Sequence, residues 1–240
     1  MKRIIRKIID KAGLSIFRHS RLPIGADYRK TIRYKLNKSD IKIVFDVGAN
    51  IGQFSLHCHE VFDESYIYSF EPIKSTFDKL KNRTRIYNNI SCFNIAFGNE
   101  KGVEEIFLRR RSIYNSLNPL VNVRTSDSQE SQQIEIDTID LFCKSKNIEH
   151  IDILKVDTEG FDLNVLKGAE SMIIARKVKF ILIEVTFDKD NAHNSSYNII
   201  SSFLKEFDYK IHGFYNQSLN NQSTRMNYCD ALFFLQPDKK

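Results

Sequence analysis

The sequence predicts an α/β protein with a mostly parallel sheet, and three observations lead there. From residue 41 onward, short β-branched apolar runs alternate with stretches of helical composition, the pattern of strand–helix–strand units. An apolar run, Val44 to Val47, leads through a turn of small residues into a helix. The length, 240 residues, suffices for one such domain with a sizeable core and falls short of two of ordinary size.

Taken in order, the first element is a basic amphipathic helix over residues 3 to 17. Ile4, Ile5, Ile8, Ile9, Ala12 and Ile16 recur at helical spacing among lysines and arginines. Strands are expected at Lys42 to Asp46, Tyr66 to Phe70, Ser91 to Ile95, Ile151 to Val156, Phe180 to Val185, Lys210 to Phe214 and Ala231 to Leu235. Helices are expected between them at Phe54 to Phe62, Lys74 to Asn82, Thr138 to Lys146, Asp162 to Ile174 and Ser195 to Glu206. Residues 103 to 137 break the alternation. Val103 to Leu108 and Gln132 to Asp137 read as two strands around a polar stretch, an antiparallel insertion on the sheet and a candidate lid. The chain thus divides into a basic extension, residues 1 to 38, and a domain from 39 to 240.

The net charge of +6 is unevenly spread. Residues 1 to 38 carry 12 Lys and Arg against Asp10 and Asp27, a balance of +10, which leaves −4 for the remainder. The extension is therefore the likelier contact for an anionic surface: its isoleucine stripe packs on the main domain or a partner subunit, or else residues 1–20 dock on an anionic membrane. No apolar run is long enough to cross a bilayer, and the N-terminus lacks the continuous apolar core of a signal peptide. Cys58, Cys92, Cys143 and Cys229 are scattered without metal-ligand spacing and read as reduced thiols. Together these features suggest a cytoplasmic protein, peripheral at the inner face of the membrane where the extension docks.

Two segments carry the chemistry. In Asp46-Val47-Gly48-Ala49-Asn50-Ile51-Gly52 the glycines would let the backbone turn tightly and approach a ligand. Glu71, at the end of the next strand, can accept hydrogen bonds from both hydroxyls of a ribose. The spacing G-x-x-x-G differs from the G-x-G-x-x-G that presents amides to a pyrophosphate, and Asp46 at the strand tip would repel phosphate but suit an ammonium. Both favour S-adenosylmethionine over a dinucleotide. Asn94, after the third strand, could meet the adenine edge or cap a turn. The second segment, Ile151 to Gly160, ends an apolar strand in Lys155, Asp157 and Glu159, which should face the crevice beyond the carboxyl ends of the strands. A buried lysine needs a partner, and Glu184 on the neighbouring strand is the candidate. A structural ion pair would explain the same residues. Among the histidines, His193 and His212 are better placed near the sheet's end than His57, His59, His19 or His150.

At this point the chain resembles the FkbM-type methyltransferases, across roughly residues 41 to 188. The resemblance rests on Val44 to Asn50, Ser69-Phe70-Glu71-Pro72, Asn94 to Asn99, Ile136 to Asp140, Leu154 to Gly160 and Val165 to Ala169. Two departures are Phe161-Asp162, where the family's motif commonly continues with an acid after Glu159-Gly160-x, and Ile139 in place of a frequent leucine. The resemblance implies a Rossmann-like class I methyltransferase sheet of seven strands, the last antiparallel, and methyl transfer to a hydroxyl of a sugar, polyketide or other metabolite.

The expected division of labour follows. Asp46, Gly48, Ala49, Asn50, Gly52, Glu71 and Asn94 would hold the cofactor. Asp157 and Glu159 would serve as base or acceptor anchor, with Lys155 and Glu184 tuning them. A divalent metal between the acids is conceivable but lacks a third ligand. Arg109, Arg110, Arg111 and Arg124 in the insertion would suit a nucleotide-linked or lipid-linked acceptor, or form a solvated charge run. A nucleic-acid substrate is disfavoured, because the Asn/Asp-Pro-Pro-Tyr-type tip used on base amines is absent after the fourth strand. Outside catalysis, the rival is a membrane-recruited binding module on an inactive methyltransferase fold. A homo-oligomer is compatible with all of these.

Overall fold

The structure, a computed structural model, describes residues 11–14, 16–18, 21, 23–36, 41–109, 115–118, 121, 125, 128–188, 191–219 and 225–236. Most of the basic segment 3–17 lies outside them, as do His19, Arg110, Arg111 and Arg124. Of that segment, Leu14, Ile16 and Phe17 are exposed. A short helix missed in the sequence, α1 (Tyr28–Thr31), continues into a π-helical turn, Ile32–Leu36. It starts where the Asp27 carboxylate accepts the backbone N–H groups of Arg29 and Lys30.

From there β1 (Ile43–Val47), α2 (Gln53–Val61), β2 (Tyr66–Phe70), α3 (Lys74–Thr84) and β3 (Ile90–Phe93) alternate as expected. A two-residue β4 (Ala96–Phe97) precedes β5 (Gly102–Arg109) and β6 (Ser128–Asp137). Then come α4 (Ile139–Lys146), β7 (Ile151–Val156), α5 (Asp162–Lys167), α6 (Glu170–Ile174) and β8 (Val178–Thr186). A short β9 (Ser195–Ser196), α7 (Tyr197–Lys205), β10 (Tyr209–Leu219) and β11 (Met226–Leu235) complete the chain.

The main sheet has the order β10-β11-β8-β7-β1-β2-β3, with β9 beside β8. All its pairings are parallel except those of β11, which runs antiparallel to both β8 and β10. This is the Rossmann-like class I methyltransferase arrangement, seven strands with an antiparallel last one. The chain leaves β1 toward β2 and β3 and later returns to β7 on its other side. That reversal opens a crevice beyond the carboxyl ends of β1 and β7, the switch point where open α/β sheets bind ligands.

β1 and β7 are buried on both faces. One face carries Phe45, Val47, Leu154 and Val156 with the aromatic cluster of Phe70, Phe93, Phe97 and Phe142. The other carries Val44 and Ile153 against Phe54 and Cys58 of α2 and Tyr28 and Ile32. The period-two alternation also puts Asp46 and Lys155 on this second face, and the register pairs them side by side.

Two expectations about the elements are corrected. The insertion is not added to the main sheet: β5 and β6 are antiparallel to each other but form a separate sheet, β4-β6-β5, over Ile73, Ile106, Ile134 and Ile136. The helix expected over Asp162 to Ile174 is two helices. Gly168 lies against the Gly98 carbonyl, where a Cβ would come within 1.9 Å of the oxygen. The Asp140 carboxylate then accepts the N–H groups of Ser171 and Met172, capping a new start. Among the described residues no helix is long and apolar enough to cross a membrane.

Candidate active site

The turn after β1 is held by its neighbours. Gly48 N and Ala49 N both donate to the Phe70 carbonyl, at 3.0 and 2.9 Å, and Asp157 N donates to Val47 O at 3.1 Å. The tips of β1, β2 and β7 are thereby joined into one platform. Gly48 is required by chain packing more than by a ligand: its φ is +75°, and a Cβ would sit 1.9 Å from the Asp157 carbonyl oxygen. Gly52 is likewise pressed against Leu80, with φ +85°. The tight turn expected of these glycines is thus present, and Gly48 also lines both cavities described below. Gly48→Ala is expected to destabilise the fold by about 3 kcal/mol or more, read as a loss in urea midpoint with unchanged m.

Beneath the platform lies an ion cluster. Lys155 Nζ is 3.4 Å from Asp46 Oδ1 and 3.1 Å from Asp157 Oδ2, and it donates to the Gly48 carbonyl at 3.1 Å. Burial works against its charge, but the carboxylates of Asp157 and Asp46 outweigh that and raise its pKa, so the ammonium is retained. Asp46 is wholly buried, and its other oxygen accepts from Ser55 Oγ at 2.6 Å. Two expectations fall here. Asp46 lines neither cavity described below, so it is placed to hold Lys155 instead of a ligand ammonium. Lys155 pairs with Asp46 and Asp157, not with Glu184, because the register sets Lys155 beside Leu182 and leaves Glu184 two residues further along β8.

Above the platform are two cavities. The narrower, about 90 Å³, has an apolar wall of Phe70, Ile73, Ile95, Phe97 and Phe161, and Glu71 lines it beside them. Each Glu71 oxygen accepts one backbone N–H, Asn50 at 3.0 Å and Ile73 at 2.9 Å. Burial pushes its pKa up to about 7, against the lowering effect of those two bonds. Of the two roles expected for Asn94, the structure shows the turn cap. Its amide donates to the carbonyls of Glu71 and Pro72, at 2.9 and 2.8 Å, so it anchors the Glu71 turn from behind and does not line the cavity.

The wider cleft, about 1020 Å³, is lined by Asp157, Glu159, Glu184, Asp188 and Asp230, by the amides of Asn191, Asn194, Asn216 and Asn227, and by Tyr28, Phe54 and Tyr228. Gly48, Asn50, Asp157 and Glu159 line both cavities, so they form the wall between them. Burial, and after it the charges of Asp157 and Asp162, push Glu159 up to about 8. Glu184 is raised by burial and by the surrounding carboxylates, and it accepts a short hydrogen bond from Asn194. Asp230, its cross-strand neighbour, is pushed up to about 6, mainly by burial.

The histidines divide. His193 and the exposed His57 line the wider cleft, whereas His212 packs edge-on against Phe234 and lies outside it. Burial and the charge of Arg109 lower the His193 pKa. His59 packs on Tyr87, and His150 lies 3.5 Å from Asp152. Arg109 lines neither cavity. Its guanidinium donates to the Val121 carbonyl and the Thr125 hydroxyl, tying the insertion together. Among the described residues no group of three or more His, Cys, Asp or Glu gathers as a metal site.

Sequence reasoning missed Ser116, Asn118, Asn194 and Asp230. None carries a local signal, since each reaches the site from an insertion or strand distant in sequence. Asp162, also missed, had one: its carboxylate accepts the Thr158 N–H and hydroxyl, both at 2.8 Å, a capping pattern at i+4.

With this geometry in view, the chain can be set beside known proteins. It matches "Methyltransferase 1" of Beauveria bassiana at 24% identity over 148 residues, 55% of this chain and 59% of that one. It matches the hexuronic acid methyltransferase AglP of Haloferax volcanii at 27% over 144 residues, 60% of this chain and 55% of that one. It therefore spans somewhat over half the length of these curated relatives. Among solved structures, the METTL16 methyltransferase domain shares the fold at a TM-score of 0.50, with 9% identity, covering 88% of this chain and 66% of that one. The model of the methyltransferase FkbM domain matches residues 46–211, from the tip of β1 into β10. The chain belongs to the FkbM family of methyltransferases.

Proposed function

We propose that this chain is an S-adenosylmethionine-dependent O-methyltransferase acting on a hydroxyl of a sugar, glycan or related metabolite. One observation carries the reading: the two cavities meet at a wall made by Asp157 and Glu159. A donor in one and an acceptor in the other would react across that wall.

The residues of the narrow cavity fit the cofactor by their chemistry. Glu71 keeps acceptor capacity on both oxygens for a ribose diol, and the walls of Phe97, Ile95 and Ile73 suit an adenine ring. S-adenosylmethionine supplies, when bound, a methyl group already activated on a sulfonium. The chain's own task is to orient the acceptor oxygen, exclude water and take its proton. Glu159 is the base in this reading: ionised, a carboxylate held near 8 accepts a proton more readily than an ordinary one. Glu159 would take the proton that the acceptor hydroxyl gives up on methyl transfer. Asp157, fixed by Lys155, anchors the acceptor.

The lining of the wider cleft supports a hydroxyl-rich acceptor without negative charge. Asp157, Asp188 and Asp230 outnumber the Lys155 ammonium that also lines the cleft and so disfavour an anion, while Glu159 and Glu184, which hold their protons more tightly than ordinary carboxylates, join the amides in suiting sugar hydroxyls. AglP is named for a hexuronic acid, so the acceptor charge is where the two proteins should differ. The test supplies radiolabelled S-adenosylmethionine with neutral, amine-bearing and uronate-bearing glycans. Label should enter the first two, with a rate that rises as pH passes about 8 and loses that limb in Glu159→Gln. Cofactor binding with no labelled product in any fraction would favour the inactive binding module.

A further inference from the structure

The Glu159–Gly160 turn, which separates the two cavities, has an unusual backbone. Glu159 has φ +53° and Gly160 φ +88°, two consecutive residues in the left-handed region, the first of them not a glycine. Nothing in the local sequence imposes this. Its support comes from the insertion, 43 residues earlier: Ser116 Oγ donates to the Glu159 carbonyl at 2.5 Å, and the same oxygen accepts Asn118 N at 2.9 Å. Ser116 is only 4% exposed. Asn118 Nδ2 then donates to the Ala192 carbonyl at 2.9 Å, in the loop after β8. A Cβ at Gly160 would meet both Asn118 Nδ2 and Ala192 O at 2.8 Å, so the turn is enclosed between the insertion and that loop.

We infer that Ser116 and Asn118 are positioning residues that hold Glu159 in its left-handed conformation and so keep its carboxyl on the wall shared by the two cavities. The geometry gives the reason. If Ser116 loses its hydroxyl, the part-buried Glu159 carbonyl loses its donor, and the peptide is free to relax toward the ordinary right-handed or extended regions. Either change redirects the side chain away from the wall. If Asn118 is lost, the loop carrying Ala192 is no longer fastened over Gly160. The insertion is thus part of the catalytic wall, and not only a cover over it.

The importance of the brace to methyl transfer rests on the role proposed for Glu159, but the brace can be tested without an acceptor. Carboxyl-carbon NMR of glutamate-labelled full-length protein would follow the Glu159 resonance, assigned by its loss in Glu159→Gln. The groups acting on Glu159 are Lys155 of β7, Asp157 just after it, Asp162 of α5 and Glu184 of β8, with Asp230 of β11 and His193 lining the same cleft, and all are retained in the brace variants. Wild-type Glu159 should titrate near 8. Ser116→Ala and Asn118→Ala should each move that titration at least about one pH unit toward the ordinary carboxylate range, with little change in melting temperature, and Ser116→Thr should restore it. An unchanged Glu159 titration in both alanine variants, or one that moves only in step with global unfolding, would overturn the inference. Failure of methyl transfer to every glycan would instead count against the proposed function and leave this result standing.

Discussion

Replacing Glu71 by alanine is expected to lower the affinity for S-adenosylmethionine roughly 100-fold. Glu71 is only 6% exposed and stands beside the apolar wall of the narrow cavity, outside the wall of Asp157 and Glu159 that this cavity shares with the wider cleft. Two charge-assisted hydrogen bonds to a ribose diol, at about 1.5 kcal/mol each, amount to about 3 kcal/mol, or about two decades in affinity. The dependence on pH sharpens the test. Burial places Glu71 near 7, so in the free protein it is partly protonated at neutrality, and only the ionised form accepts from both hydroxyls. Affinity should therefore rise with pH through about 7 and level off above it, a dependence that Glu71→Gln abolishes. Stability moves the other way. A carboxyl raised from 4.5 to about 7 holds its proton more tightly in the folded state, so its contribution is full below 4.5 and is lost as pH climbs toward and past 7. Titration calorimetry across pH 5.5 to 8.5 reads the affinity. An Ala variant with near-normal affinity would remove Glu71 from the cofactor site.

The largest effect on stability is expected from Lys155→Met. Asp46 is wholly buried, its Oδ1 takes no hydrogen bond from the described residues, and Lys155 is the cation beside it. Removing one partner of such a pair costs about 3–5 kcal/mol, because the other charge is left uncompensated. The same change takes the donor from the Gly48 carbonyl and one ion-pair partner from Asp157, loosening the β1 and β7 tips together. Asp46→Asn combined with Lys155→Met should recover part of the loss, since no buried charge then stands alone. Urea denaturation of the single and double variants reads both quantities. A loss below about 1 kcal/mol in Lys155→Met would mean that the platform is held by its backbone bonds and not by the ion cluster.

Glu71 and Lys155 also mark how far the sequence could be read. The acid at the end of β2 was legible because strand, turn and helix are contiguous there, and the strand fixes which way the next residue emerges. Lys155 was legible as an anomaly, a charge inside an apolar run, but its partner was not. Choosing between Glu184 and Asp46 depends on which residues lie opposite one another across two sheet registers, and no local pattern encodes that. For Asn94 the sequence left a choice between an adenine contact and a turn cap, and the fold decides it by bringing the Glu71 and Pro72 carbonyls to its amide. The single helix expected over Asp162 to Ile174 fails because Asp140, from another element, supplies a second cap.

By itself the sequence determined the alternating elements, the parallel sheet, the family and the two strand tips where chemistry collects. These follow from local apolar periodicity and from short motifs whose residues are neighbours in the chain. The tertiary structure alone decided that Asp46 holds Lys155, that Asp157 and Glu159 form a wall between two cavities, and that Ser116 holds Glu159 in place. The brace joins residues 43 positions apart and Lys155 reaches across 107 to Gly48, and such contacts exist only once the burial of both sheet faces has set the strand order and register.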